Sequence, residues 1–235
     1  MMNQNIYDAF YAETAAKMAD LTDVQALLVA LCAMERQWQL YLEWTQMESA
    51  YCLQVKPETL RAPMRELLDL LWEQIWSEEP VNAHRNVYDQ FIALDQNSFD
   101  EEDGQDVDFG NARLLMEAIE DYASIFFCSE AVDSHRRFGS WRGDAVYCAT
   151  NYLYRLHGDY FADRVMERVG RCGDKELAPL MDEYAVTDPT WLAETARVRE
   201  DLEAAKNYPA NRNWFRARKE QYSQLKLPPL YENRP

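Results

Sequence analysis

Glycine is scarce in this chain, with seven residues in 235. Sheet proteins with many tight hairpins need glycine at positive φ, and no Asn-Gly or Asp-Gly pair here separates two alternating apolar runs. Asp103-Gly104 is flanked by acids instead. The shortage argues against a hairpin-rich β protein and favours helices. Long apolar runs are missing as well. No stretch reaches the ~20 uninterrupted apolar residues of a membrane span. The opening MMNQNIYDAF also lacks the basic-then-apolar pattern of a secretion signal. The expectation is a cytoplasmic protein with no membrane partner.

Histidine is rarer still: His84, His135 and His157 are all there are. A ferritin-type di-metal site needs Glu three residues before His on two helices, and those positions hold Val81, Val132 and Tyr154. A zinc-protease helix needs two His four residues apart flanking Glu, and no such pair exists. The five cysteines (Cys32, Cys52, Cys128, Cys148, Cys172) are odd in number, widely spaced and set among apolar residues. That is the pattern of reduced core thiols rather than of disulfides, zinc ligands or an activated nucleophile. Gly139-Ser140-Trp141 and Gly143 make neither a nucleophile elbow nor a phosphate cradle. Placing Gly104 at the sixth position of a calcium loop puts Phe99 first and Gly110 twelfth, where carboxylates have to bind. The expectation is therefore no cofactor, no metal, no catalytic residue and no enzymatic activity.

What the chain does have is apolar and acidic. Hydrophobic residues make up 48 %, with 7 Trp and 14 Tyr, enough to fill a core and far from a disordered composition. Net charge is −17, from 24 basic and 41 acidic residues. Such a surface repels nucleic acid and anionic membrane and attracts basic partners. The charge is uneven: residues 191–235 hold 9 basic and 6 acidic residues, so residues 1–190 carry −20. The sharpest acidic stretch is Asp95 to Asp108, with no basic residue, and it is expected to be a loop. Arg136, Arg137 and Arg142 interleave with Phe138 and Trp141 in a basic connection, whose arginines are expected to bridge carboxylates or fix helix ends.

Helical spacing accounts for most of the rest. A short helix is predicted over Ile6 to Ala19, and Thr22 with Gln25 forms a capping box for the next. There Val24, Leu27, Leu28, Leu31, Met34, Trp38, Tyr41 and Leu42 make a stripe, with Glu35, Gln39 and Glu43 elsewhere. Val29, Ala33, Leu40 and Trp44 widen its apolar surface, which predicts packing on more than one neighbour. A third helix starts near Pro57-Glu58-Thr59, with Thr59 capping and Pro63 in its first turn, and its stripe runs Leu60, Met64, Leu67, Leu68, Leu71, Trp72, Ile75. Further helices are predicted over Asn82–Leu94, Asn111–Val132, Asp144–His157, Asp159–Val169, Lys175–Tyr184, Pro189–Asn207 and Asn211–Leu225, with Gly158, Gly170 and Gly173 at helix ends. The result is an all-α protein, a single bundle-like domain of roughly eight to ten helices over residues 1–226. A Pro-rich extended tail follows over 227–235.

Three segments carry a family resemblance: QALLVALCAMERQWQLYLEW, LRAPMRELLDLLWEQIW and DPTWLAETARVREDLEAAKN. With the Leu-Leu-Asp-Leu-Leu-Trp run at 67–72, they resemble a group of small all-helical bacterial proteins similar to immunity proteins of polymorphic toxin systems. The resemblance implies a protein that binds and blocks a cognate toxin rather than turning over a substrate. A basic toxin would suit the acidic loop, where Asp100, Glu101, Glu102, Asp103, Asp106 and Asp108 supply charge and Phe99 and Phe109 apolar anchors. Two other classes stay open at this point: a helical scaffold or homodimer using surface Trp and Tyr, and an enzyme whose carboxylates meet only in the fold.

Overall fold

A helix whose apolar residues spill beyond one stripe has to be covered on several sides. The computed structural model meets this demand by packing four helices around one. It describes residues 5–44, 58–76, 87–90, 93, 115, 119, 141–170, 173–228 and 230. The helices are α1 (Ile6–Ala19), α2 (Asp23–Trp44), α3 (Glu58–Trp76), α4 (Trp141–Arg155), α5 (Ala162–Val169), α6 (Asp174–Ala185), α7 (Pro189–Lys206) and α8 (Arg212–Ser223). A π-helical turn, Leu156–Phe161, joins α4 to α5. No strand occurs among the described residues, and the protein is an all-α, multi-helix domain.

Every residue of α2 from Ala26 to Arg36 is buried, because α3, α4, α7 and α8 pack around it. The start of α2 is the predicted capping box: the Thr22 N–H donates to Gln25 Oε1 at 2.8 Å, and the Gln25 N–H reaches Thr22 Oγ1 at 3.4 Å. Asn5 caps α1 by accepting from the Asp8 N–H at 2.8 Å, and Asp188 caps α7 by accepting from the Trp191 N–H at 2.8 Å. Such caps each stabilise a helix by about 1 kcal/mol. The α3 stripe points inward as its spacing demands, with Met64, Leu67, Leu68, Leu71, Trp72 and Ile75 buried. Cys32 and Cys148 are both buried. Burial, with Asp201 nearby, raises the Cys32 thiol well above its ordinary pKa and keeps it protonated.

Three local expectations change. Thr59 lies inside α3 rather than capping it, and Pro63 sits past the first turn, because Glu58 is already helical. Gly158 does not end a helix: the chain runs on through the wide turn into α5. Gly170 does end one, with φ 79°, a left-handed conformation that favours glycine. The basic connection is shorter than expected, since residues 141–143 already belong to α4. At the carboxyl end, Leu227 and Leu230 are buried, and the Tyr152 hydroxyl donates to the Pro228 carbonyl at 2.8 Å. The start of the tail therefore lies on the body.

Candidate functional site

Glu35 and Arg36 are the only charged residues in the buried stretch of α2, and each is exposed by 1 % or less. Neighbours on a helix point about 100° apart, so the two reach in different directions. Each starts a chain of alternating charge.

The inner chain runs from Arg36 to α7. Its Nε donates to Glu194 Oε2 at 3.0 Å and its Nη1 to Asp201 Oδ2 at 2.5 Å. Glu194 also takes Arg197 at 2.5 Å, and Asp201 accepts from the Tyr222 hydroxyl of α8 at 3.0 Å. The guanidinium lies 4.7 Å from the Tyr222 ring centroid. Burial opposes the Arg36 charge, and Glu194 and Asp201 more than reverse that opposition. Asp201 is different: burial raises its carboxyl, and Arg36 and Tyr222 offset only part of the rise. Burial also raises the Tyr222 hydroxyl, and Asp201 adds to the rise.

The outer chain runs from Glu35 to the surface. Arg65 of α3 grips Glu35 with two bonds, at 2.9 and 2.7 Å, while the Trp72 indole donates to the same carboxylate at 2.8 Å. Arg65 then holds Asp69 at 3.0 and 2.7 Å, and Lys219 of α8 closes the chain on Asp69 at 2.6 Å. Burial would raise Asp69, but Arg65 and Lys219 outweigh it and hold the carboxyl below its ordinary range. This end opens into a cleft of about 360 Å³ lined by Trp38, Gln39, Arg65, Asp69, Arg216, Lys219, Glu220 and Ser223. A carboxylate held ionised by two cations is a poor proton acceptor near neutrality. Arg65, Asp69 and Lys219 thus serve one another.

A second feature lies on α1 and α4. The Tyr7 ring meets Tyr154 edge-on at 5.4 Å and Tyr11 at 6.1 Å, and its hydroxyl sits 3.4 Å from Thr150 Oγ1. Burial raises the Tyr7 hydroxyl above its ordinary pKa; the Thr150 bond opposes this, and Tyr11, Tyr147 and Tyr154 add to the rise, so four phenols share one neighbourhood. Tyr147 and Tyr154 are 40 % and 45 % exposed. His157, in the π turn below, is buried and bonds Asp182 Oδ1 through Nε2 at 2.8 Å. The same oxygen accepts from the Ile6 N–H at 3.2 Å. Trp191 and Phe161 flank the imidazole. His157 thus ties α1, the π turn and α6 together.

The predicted interface residues Phe99, Asp100, Glu101, Glu102, Asp103, Asp106, Asp108 and Phe109 lie outside the described residues, as do Arg136 and Arg137. Neither the two charge chains nor the tyrosine cluster was read from the sequence. A signal for the cluster existed: Tyr7 and Tyr11 are four residues apart and Tyr147 and Tyr154 seven, each pair on one helix face. Among the described residues, no group of three or more His, Cys, Asp or Glu is arranged to hold a metal ion. None of the described helices is long and apolar enough to cross a membrane. Compared with known proteins, the chain matches no family model, no curated protein and no solved structure.

Proposed function

We propose that this chain is a non-enzymatic binding protein, a cytoplasmic immunity protein that neutralises a cognate bacterial toxin through its acidic exterior. The observation that supports the reading is the cancellation of charge inside. Among the described residues, the buried charged ones Glu35, Arg36, Glu194 and Asp201 are three carboxylates and one guanidinium, and Arg65 and Arg197 supply the two missing positive charges. Asp69 and Lys219 cancel each other in turn. The two chains together are neutral, so the whole net charge of −17 resides on the other groups of the molecule. A rigid frame with its interior charge consumed and its exterior strongly negative suits the capture of a basic protein by steering and complementarity.

Co-expression with the product of the adjacent reading frame, followed by purification through a tag on this chain, tests the reading. The expected outcome is a stoichiometric complex and survival of cells carrying both genes. Neutralising Asp100 to Asp103 should slow association and weaken binding, most at low salt. The absence of both complex and protection would refute the function. Binding unchanged by the substitutions at low salt would move the interface away from the acidic run.

A further inference from the structure

The tyrosine cluster has the makings of a contact surface. Tyrosine supplies large, rigid contact area at low entropic cost and is enriched where proteins meet. Two of the four rings are substantially exposed, and they stand on helices that pack against each other and against the core. The surface is preorganised rather than carried on a loop.

Its surroundings define the chemistry of what it takes. Asp8, three residues before Tyr11 on α1, is exposed. Asp182 is half-buried, bonded to His157 and to the N–H of Ile6, the residue before Tyr7. Asp159 pairs with Arg155 at 3.2 Å. These three carboxylates outnumber the one guanidinium, which pairs with Asp159 alone and lies 5.8 Å from the Tyr154 ring centroid. The same pairing recurs elsewhere: Arg164 lies 5.1 Å from the Tyr160 ring centroid and Arg199 5.2 Å from that of Phe10. Electron-rich ring faces edged by carboxylates attract guanidinium groups, through the ring quadrupole and through charge.

We infer that the face built by Tyr7, Tyr11, Tyr147 and Tyr154 on α1 and α4 is a docking surface for an arginine-bearing segment of a basic protein partner. This deepens the binding reading above and rests on it for the partner's identity, but not for the chemistry. Tyr147 and Tyr154 provide the ring faces, Tyr7 holds Tyr154 in place by its edge contact, and Asp8 and Asp182 add long-range attraction.

The test uses the full chain labelled with 13C in its tyrosine rings and a nine-residue arginine peptide at physiological salt. Ring resonances of Tyr147 and Tyr154 should shift on titration, and a nine-residue glutamate peptide should leave them in place. The double substitution Tyr147→Ser with Tyr154→Ser should weaken peptide binding by about tenfold. Tyr147→Phe with Tyr154→Phe keeps the ring faces and should change it by less than about twofold. Val186→Ser with Leu192→Ser, at exposed apolar positions outside the cluster, is the control and should have no effect.

Equal binding by the serine variant, shifts confined to other tyrosines, or no peptide binding at all overturns the inference. So does ring shifting with protein concentration alone together with a doubled mass, which would make a second copy the occupant. The two readings fail separately. If the chain protects cells and the serine variant protects equally well, the docking face is wrong and the function stands. If the peptide docks on these rings but no toxin is neutralised, the function is wrong and the face stands.

Discussion

The two charge chains begin on adjacent residues of one helix and use the same chemistry, yet their carboxylates respond in opposite directions. Asp201 ends the inner chain with no exposed side-chain surface, and its carboxyl is raised. Asp69 stands near the end of the outer chain with 43 % of its side chain exposed, and its carboxyl is lowered. Each has an arginine and a second donor. The difference is depth: full burial costs the Asp201 charge more than one guanidinium and one phenol return, whereas the half-wet Asp69 keeps most of its hydration and gains two cations. A similar set of partners makes a costly fixture in the core and an inexpensive one at the rim.

The largest effect is expected where this cost is left uncompensated. Arg36→Met strands Glu194 and Asp201, and urea unfolding should register a loss of about 3–5 kcal/mol. Adding Glu194→Leu, Asp201→Leu and Tyr222→Phe removes the stranded polar groups and should recover most of that loss; no recovery would mean that the chain contributes net stability beyond relieving its own burial. In the outer chain, Arg65→Met leaves the fully buried Glu35 with only the Trp72 indole and should cost about 3 kcal/mol. Lys219→Met, at the exposed end of the same chain, should cost less than about 1 kcal/mol. Equal costs for Arg65 and Lys219 would refute the dependence on depth.

The smallest effect is in acid. The lowered Asp69 carboxyl contributes stability that is present above its unfolded value of 3.8 and fades as pH falls below it. Glu13, held down to about 2 from 4.5 by Arg199 and Lys17, fades over that interval. The raised Asp201 acts in the opposite sense: the folded state holds its proton more tightly, so its contribution is full below 3.8 and is lost as pH rises above it. Chemical denaturation at pH 5 and pH 3 should show a shallower acid loss for Asp69→Asn and Glu13→Gln. Asp201→Asn should lose the opposing contribution and show a steeper one. Glu13 and Asp69 are largely solvent-screened, and each should change the difference by less than about 1 kcal/mol.

Among the described residues, most helix positions were legible because they depend on local patterns; the helices expected over Asn82–Leu94 and Asn111–Val132 lie largely outside them. The range of α1, the Thr22–Gln25 box and the multi-sided burial of α2 follow from spacing and capping within a few residues. Glu35 was not legible: it falls outside the apolar stripe and looks like a solvent-facing acid, yet it is fully buried. Its partner Arg65 is 30 residues away, and Arg36 finds Asp201 at a separation of 165. A charge in a helix reads as surface until its counter-charge is known, and nothing local identifies that counter-charge. The tyrosine face has the same limit, since each half shows its spacing but their meeting depends on α1 packing against α4.

The π turn has a consequence for how one rod of chain serves two neighbourhoods. Winding slightly wider over Leu156–Phe161 puts the two halves of the α4–α5 rod out of phase. Upstream, the inward side meets α1 and α2; downstream, it is turned toward α6. Excising one residue there would bring the halves back into step and swing α5 round by about 100°. Val165, now buried, would then be carried out of the core. The apparent irregularity acts as a gear, and the core beyond it is built to its offset.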